Sequence, residues 1–170
     1  MIRQITKYEE IDPRKLMDLY AEGNRENAAE LYPELPEETA RRKVEQGFLE
    51  MIETLFLPTP GNTYWVLEED GIWISALRLY TVEKGLYYIE ALETRPDARR
   101  NGYASGLLQH VVEEQKKQGP FRLCDCVSKE NTASLKTHEK CGFQIVRETG
   151  LNYLTGEENP YCYGLEYVWR

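Results

Sequence analysis

The sequence predicts an α+β fold: a mixed central sheet of about seven strands flanked by about four helices. Two observations carry this. Residues 63–93 read as strand, turn, strand, turn, strand, the pattern of an antiparallel meander. Residues 86–127 then read as strand, helix, strand, which in one sheet gives a parallel pair joined by a right-handed crossover. No repeat, low-complexity tract or linker divides the chain of 170 residues. It is read as one domain, 1–170, long enough to bury a core.

In chain order, Met1 to Thr6 alternates apolar and polar residues and suits a first strand. Asp12-Pro13 supplies an N-cap and an N1 proline for a helix with Leu16, Leu19 and Tyr20 on one face. Gly23-Asn24 is expected to break or bend it, with a second helical piece through Ala28 to Tyr32. A longer helix starts near Glu37, with Ala40, Val44, Phe48, Met51, Ile52 and Leu55 as its stripe, and stops at Leu57-Pro58. Strands follow at 63–68 and 72–81 around the hairpin signal Asp70-Gly71, and at Leu86 to Glu93 after Lys84-Gly85. Ala104, Leu107, Leu108, Val111 and Val112 mark the crossover helix, closed by Gly119-Pro120. Phe121 to Val127 is the next strand. Asn131 caps a short helix over Thr132 to Lys140, and Phe143 to Thr149 and Tyr161 to Trp169 are the last strands.

Composition excludes some classes of function. The net charge is −8, from 29 acidic and 21 basic side chains, whereas a nucleic-acid binder carries a basic footprint. Acidity suits a cationic partner and equally suits simple solubility. Met1 to Glu10 holds charges and no apolar core, and no apolar run is long enough for a bilayer, so a cytoplasmic protein without a membrane partner is expected. Cys124, Cys126, Cys141 and Cys162 lack zinc-ligand spacing and read as reduced thiols; no metal is expected.

The chain's chemistry is expected where the central strand gives way to the crossover helix. Between them lie Arg99-Arg100-Asn101-Gly102-Tyr103-Ala104. A helix start leaves N–H groups pointing at one spot, and its dipole favours an anion there. Gly102 lets backbone approach closely and the arginines add charge, so the loop reads as a pyrophosphate cradle. The alternative is a solvated helix cap. No Gly-Lys-Ser/Thr ends the loop and only one glycine is present, so neither a Walker loop nor the dinucleotide motif fits.

Two motifs together resemble the GNAT N-acetyltransferase superfamily. Arg99-x-x-Gly102-x-Ala104 is similar to its Arg/Gln-x-x-Gly-x-Gly/Ala signature, preceded by Leu92-x-Thr94-x-Pro96 where the family has Leu-x-Val-x-Pro. Asn131-x-x-Ser134-x-x-x-His138-x-x-x-Gly142-Phe143 resembles the family's Asn-x-x-Ala-x-x-x-Tyr-x-x-x-Gly-Phe. The likeness is strongest from Leu86 to Phe143 and covers the N-terminal half only through element order. It implies a GNAT-like sheet whose parallel pair splays apart, and transfer of an acetyl group from acetyl-CoA to a primary amine of a small molecule or peptide. Carried across by position, Leu92, Glu93 and Thr94 would offer backbone to the pantetheine arm. Arg99, Arg100, Asn101, Gly102, Tyr103 and Ala104 would hold the pyrophosphate, with Asn131 and Ser134 lining the other side.

The implied chemistry makes further demands. An amine with a pKa of about 10 must lose a proton before it attacks, the oxyanion needs an N–H donor, and the leaving thiolate wants a proton. Glu90 and Glu93 are the candidate bases, and simple strand parity puts them on opposite faces; the alternative for each is a salt bridge. His138, standing where the family has tyrosine, is the candidate general acid, and the alternative is a histidine that only packs. Asp125 breaks the apolar alternation of its strand and is a buried acceptor, an acceptor-site residue or a partner for His138. No cysteine has an evident activating partner, so direct attack in a ternary complex is expected. The rival is a non-catalytic acyl-CoA-binding module on the same fold; a monomer or homodimer is expected in either case.

Overall fold

A computed structural model describes residues 1–170. The strands are β1 (Ile2–Ile5), β2 (Thr63–Glu69), β3 (Ile72–Glu83), β4 (Leu86–Thr94), β5 (Phe121–Ser128), β6 (Gln144–Arg147), β7 (Gly150–Leu151), β8 (Glu158–Asn159) and β9 (Cys162–Trp169). The helices are α1 (Pro13–Leu19), α2 (Ala21–Leu31), α3 (Glu37–Met51), α4 (Tyr103–Lys116) and α5 (Thr132–Lys140). Seven strands form one sheet in the order β1-β2-β3-β4-β5-β9-β6, and β7 and β8 make a separate hairpin. Only β4 and β5 run parallel, and every other pairing is antiparallel. This is the GNAT-like α+β architecture that the sequence predicts.

Both faces of the sheet are covered, which explains the near-continuous apolar run of β3. On one face Leu107, Leu108, Val111 and Val112 of α4 pack on Leu77, Leu79, Ile89 and Leu123. On the other, Leu16 and Leu19 of α1 with Ile52 and Phe56 pack on Tyr64, Val66 and Ala76. Asp12 caps α1 as expected, accepting from the Arg14 and Lys15 amides at 3.0 and 3.1 Å.

The α1–α2 break falls at Tyr20, and Gly23-Asn24 lies inside α2. The phenol explains the shift. The Tyr20 hydroxyl donates to the Ala91 carbonyl at 2.7 Å and accepts from the Tyr64 hydroxyl at 2.8 Å, so the chain turns where that ring enters the core. The β7–β8 hairpin is absent from the sequence reading, because two-residue strands are too short to show an alternation.

Two irregularities shape the middle of the sheet. Parallel pairing of β4 with β5 ends at Tyr88–Cys124, so residues 89–94 and 125–128 diverge and leave an open wedge. Within β4 the register on β3 shifts: Arg78 faces Glu90 and Ala76 faces Glu93, so Leu77 stands opposite both Ala91 and Leu92. Ala91 occupies this bulge with φ 53°, a left-handed conformation that L residues rarely adopt.

Candidate active site

The loop from β4 to α4 forms a receptor for an anion. Arg100 and Gly102 both take positive φ, 66° and 81°, two left-handed residues separated by one. Such alternation turns successive amides toward a common centre, and the first turn of α4 adds its own. The backbone N–H groups of residues 100–105 donate to no acceptor within the chain. A Cβ on Gly102 would meet only Ser105 Oγ, at 3.9 Å, so the conformation rather than crowding demands glycine. These free amides could hold a pyrophosphate.

The side chains of this loop divide their work. Arg100 is exposed and engages no partner, leaving its charge for an incoming phosphate. The Arg99 guanidinium reaches back to Glu22, to Glu93 at 3.0 Å and, through Nε, to the Thr94 carbonyl at 3.1 Å. It clamps the end of β4 to α2. Asn101 donates to the Ala98 and Arg99 carbonyls and braces the loop. Tyr103 turns its hydroxyl to Glu69 at 2.6 Å, and with Ala104 offers backbone only.

Along the wedge, Leu92 packs toward the α4 face. The Thr94 amide is held by the Glu93 carboxylate at 3.2 Å, and the Glu93 carbonyl accepts from Ser75 at 2.8 Å. The Thr94 carbonyl also accepts from Arg99, and each carbonyl keeps a second lone pair for a further donor. Across the wedge, Asn131 caps α5 by accepting from the Ser134 amide at 3.0 Å.

Glu90 and Glu93 do not obey simple parity. The bulge adds one residue to β4 and so returns both carboxylates to the same face, the one covered by α1. Glu90 accepts from Arg78 at 3.2 Å and lines a cleft of about 700 Å³ between the wedge and the β7–β8 hairpin. Glu93 lies outside that cleft, and its carboxyl is raised by burial against the opposing pull of Arg99. The cleft also receives Asp125, Glu157 and Glu158, with Arg78 as its single cation. Arg78 is nearly buried, rests on the Phe48 ring at 5.4 Å and leaves Nε and Nη1 without acceptors. The sequence reading passed over Arg78, although one arginine inside the apolar run of β3 was the visible signal.

His138 is completely buried, so its ring does not itself reach the wedge. Nδ1 lies 2.8 Å from the Ser134 carbonyl and Nε2 lies 2.7 Å from Asp125 Oδ2, with Phe143 edge-on at 5.1 Å. Burial lowers its pKa, but hydrogen bonding and charge from Asp125, with the Ser134 carbonyl, raise it overall. Asp125 Oδ1 accepts from the Cys126 amide at 2.6 Å. All four cysteines are free thiols. The Cys126 thiol is pushed up to about 12, first by burial and then by Cys162 beside it. No helix is long and apolar enough to cross a membrane.

The Acetyltransferase (GNAT) family model matches residues 16–143. Among solved structures, the chain is similar to the PaiA N-acetyltransferase of Thermoplasma acidophilum in complex with coenzyme A: 17% identity, TM-score 0.69, 99% of each chain covered. It is also similar to a GNAT-family acetyltransferase of Staphylococcus aureus Mu50, at 13% identity and TM-score 0.68 with 100% of both chains covered. An aminoglycoside 6'-acetyltransferase type Ii gives 13% identity and TM-score 0.63 over 99% of this chain and 96% of the other. No curated protein sequence matches the chain. With the family model spanning well over half the chain on a fold of the same architecture, this protein belongs to the GNAT acetyltransferase family and uses acetyl-CoA as its cosubstrate.

Proposed function

We propose that the protein transfers the acetyl group to a primary amine of a small molecule or peptide, by direct attack while both substrates are bound. The observation that carries this reading is the acidic cleft beside the wedge. Glu90, Asp125, Glu157 and Glu158 line it; Glu90 pairs with Arg78 and Glu158 with Arg147, yet the carboxylates outnumber these two cations, a balance that favours an ammonium group over an anionic acceptor. The likeness to an aminoglycoside 6'-acetyltransferase also favours an amino group as acceptor.

Acetyl-CoA brings the acyl group as an activated thioester. The Arg100–Ser105 amides and the Arg100 side chain hold its pyrophosphate, and the diverging backbone of β4 receives the arm. Glu90 sits on the acceptor side and takes the ammonium proton, directly or through water, so that a neutral amine attacks. Arg78 keeps that carboxylate oriented. A backbone N–H freed by the bulge of β4 steadies the developing oxyanion. A covalent acetyl-cysteine is disfavoured, since burial and Cys162 suppress the Cys126 thiolate.

The test is steady-state thiol release with a panel of cationic amines, varying both substrates. Intersecting initial-velocity lines support the ternary complex, and parallel lines refute it. Glu90→Gln should lower kcat/KM for the amine about 100-fold while leaving acetyl-CoA affinity within threefold. Turnover of anionic or neutral hydroxyl acceptors in preference to amines would overturn the reading.

A further inference from the structure

Asp125 and His138 form an ionisable pair whose proton has no part in the steps above. Asp125 is the first residue of β5 beyond the last β4–β5 pair, so its carboxyl is rooted where the wedge opens. Its neighbours in alternation, Leu123 and Val127, face α4 in the core, and Asp125 shares their side of the strand. That is the side on which α4 presents its free amides. Glu90 stands on the opposite side with Ala76. Two carboxylates rooted on opposite faces of the sheet therefore flank the wedge, and both border the cleft at its mouth.

The hydrogen bonds of His138 fix the content of the pair. A carbonyl oxygen only accepts, so Nδ1, 2.8 Å from Ser134 O, carries a hydrogen. If Nε2 were bare, its lone pair would face a carboxylate oxygen at 2.7 Å inside the protein. A proton must lie between them. His138 is wholly buried and Asp125 is about 8% exposed, so the carboxyl is the member of the pair nearer the wedge.

We propose that Asp125 is the catalytic residue that returns a proton to the departing sulfur, with His138 behind it as the positioning residue that stores that proton. This rests on the transfer reaction proposed above, and it replaces His138 itself as the proton donor. As the amine nitrogen bonds to the carbonyl carbon, the C–S bond breaks and sulfur keeps its electron pair. The proton between Oδ2 and Nε2 passes to sulfur, leaving an Asp125 carboxylate beside a neutral His138. The nitrogen loses two protons through Glu90, one before attack and one as the amide forms; both pass to solvent, solvent returns one to the pair, and each turnover releases one proton. No net proton is created or consumed by the dyad.

The experiment uses the full chain, as wild type, Asp125→Asn and His138→Gln. Nitrogen-15 histidine spectra of the free wild-type protein should show both His138 nitrogens protonated at pH 7. Kinetics follow thiol release with an amine and, separately, with water as acceptor, because both routes must protonate the same sulfur. Wild-type kcat should fall toward alkaline pH as the dyad loses its proton. Asp125→Asn should lose that descending limb and about 100-fold in kcat, with acetyl-CoA affinity by calorimetry within threefold. Other titratable groups face the wedge: Arg78 on β3, Tyr88 and Glu90 on β4, Cys126 on β5, Cys162 on β9, and Glu157 and Glu158 on the hairpin. Their limbs persist in Asp125→Asn, which identifies the one that belongs to the dyad.

An unprotonated Nε2, or an Asp125→Asn enzyme with wild-type kcat and an intact descending limb, overturns the proposal. If the asparagine variant does not fold, His138→Gln, the spectra and the wild-type pH profile decide. Amine turnover that is absent while hydrolysis still depends on Asp125 removes the amine reading and leaves the dyad standing.

Discussion

Glu90 and Glu93 share one face of the sheet although they are three residues apart, because Ala91 spends an extra residue in a bulge at φ 53°. The Tyr20 hydroxyl holds the bulge through the Ala91 carbonyl. A left-handed alanine costs about 1–2 kcal/mol, part of which glycine regains against its own entropy of about 0.5–1 kcal/mol. Ala91→Gly should therefore raise Tm by roughly 1–4 °C, and Ala91→Val should lower it by more, because a β-branched side chain is still less tolerated there. Equal melting temperatures for all three proteins would show that the bulge carries no such strain.

Arg78 and Glu90 make a nearly buried ion pair in which the arginine is under-satisfied. Removing one partner strands the other. Arg78→Met and Glu90→Gln should each destabilise by about 1–3 kcal/mol, discounted because Glu90 remains partly solvated. The double variant should recover much of the loss, since apolar replacement of a buried pair is often neutral. A denaturant-melt double-mutant cycle measures this, and strictly additive losses would deny the coupling.

The sheet, its single parallel pair and the glycine-led start of α4 were legible because period, turn residues and a glycine at a helix start are local signals. The wedge was legible only through the family resemblance: nothing in Leu86 to Thr94 says where pairing with β5 stops. The bulge was illegible, and with it the shared face of the two glutamates, because one extra residue leaves no mark in a pattern of period two. The ion pairs of Arg99 were illegible for a related reason. Its charge suits a phosphate, but Glu22 and Glu93, far apart in sequence, meet it only in the folded chain. A His138–Asp125 pairing was one of three readings of an odd acid in an apolar strand, while the burial of the imidazole was not visible.

Acetyl-CoA affinity should separate the loop's residues by role. Gly102→Ala forces a Cβ into φ 81°, so retaining the converging amides costs about 1–2 kcal/mol, a roughly 5- to 30-fold rise in Kd. Arg100→Ala should weaken binding by a smaller factor that shrinks as salt increases, as an exposed charge does. Arg99→Ala should chiefly lower Tm by releasing the end of β4 from α2. Calorimetric titration at two ionic strengths measures all three. If Arg99→Ala lost binding with an unchanged Tm, its side chain would belong to the phosphate site after all.

The His138–Asp125 pair also predicts how stability follows pH. The folded-state pKa of His138 is raised above the ordinary imidazole value of about 6.5. A raised pKa means that the folded protein holds the proton more tightly than the unfolded chain. The resulting stabilisation is fully present below the unfolded value and is lost as pH rises through the folded one. Wild type should thus lose stability above pH 6.5 relative to Asp125→Asn, whose His138 has no carboxylate to hold the proton. Denaturant melts of both proteins at intervals from pH 5.5 to 9 measure the difference, with the slope between them expected to be negative across the upper part of that range. Parallel curves would mean that the bridge hydrogen is not taken up on folding, and the dyad would then be an ordinary buried contact.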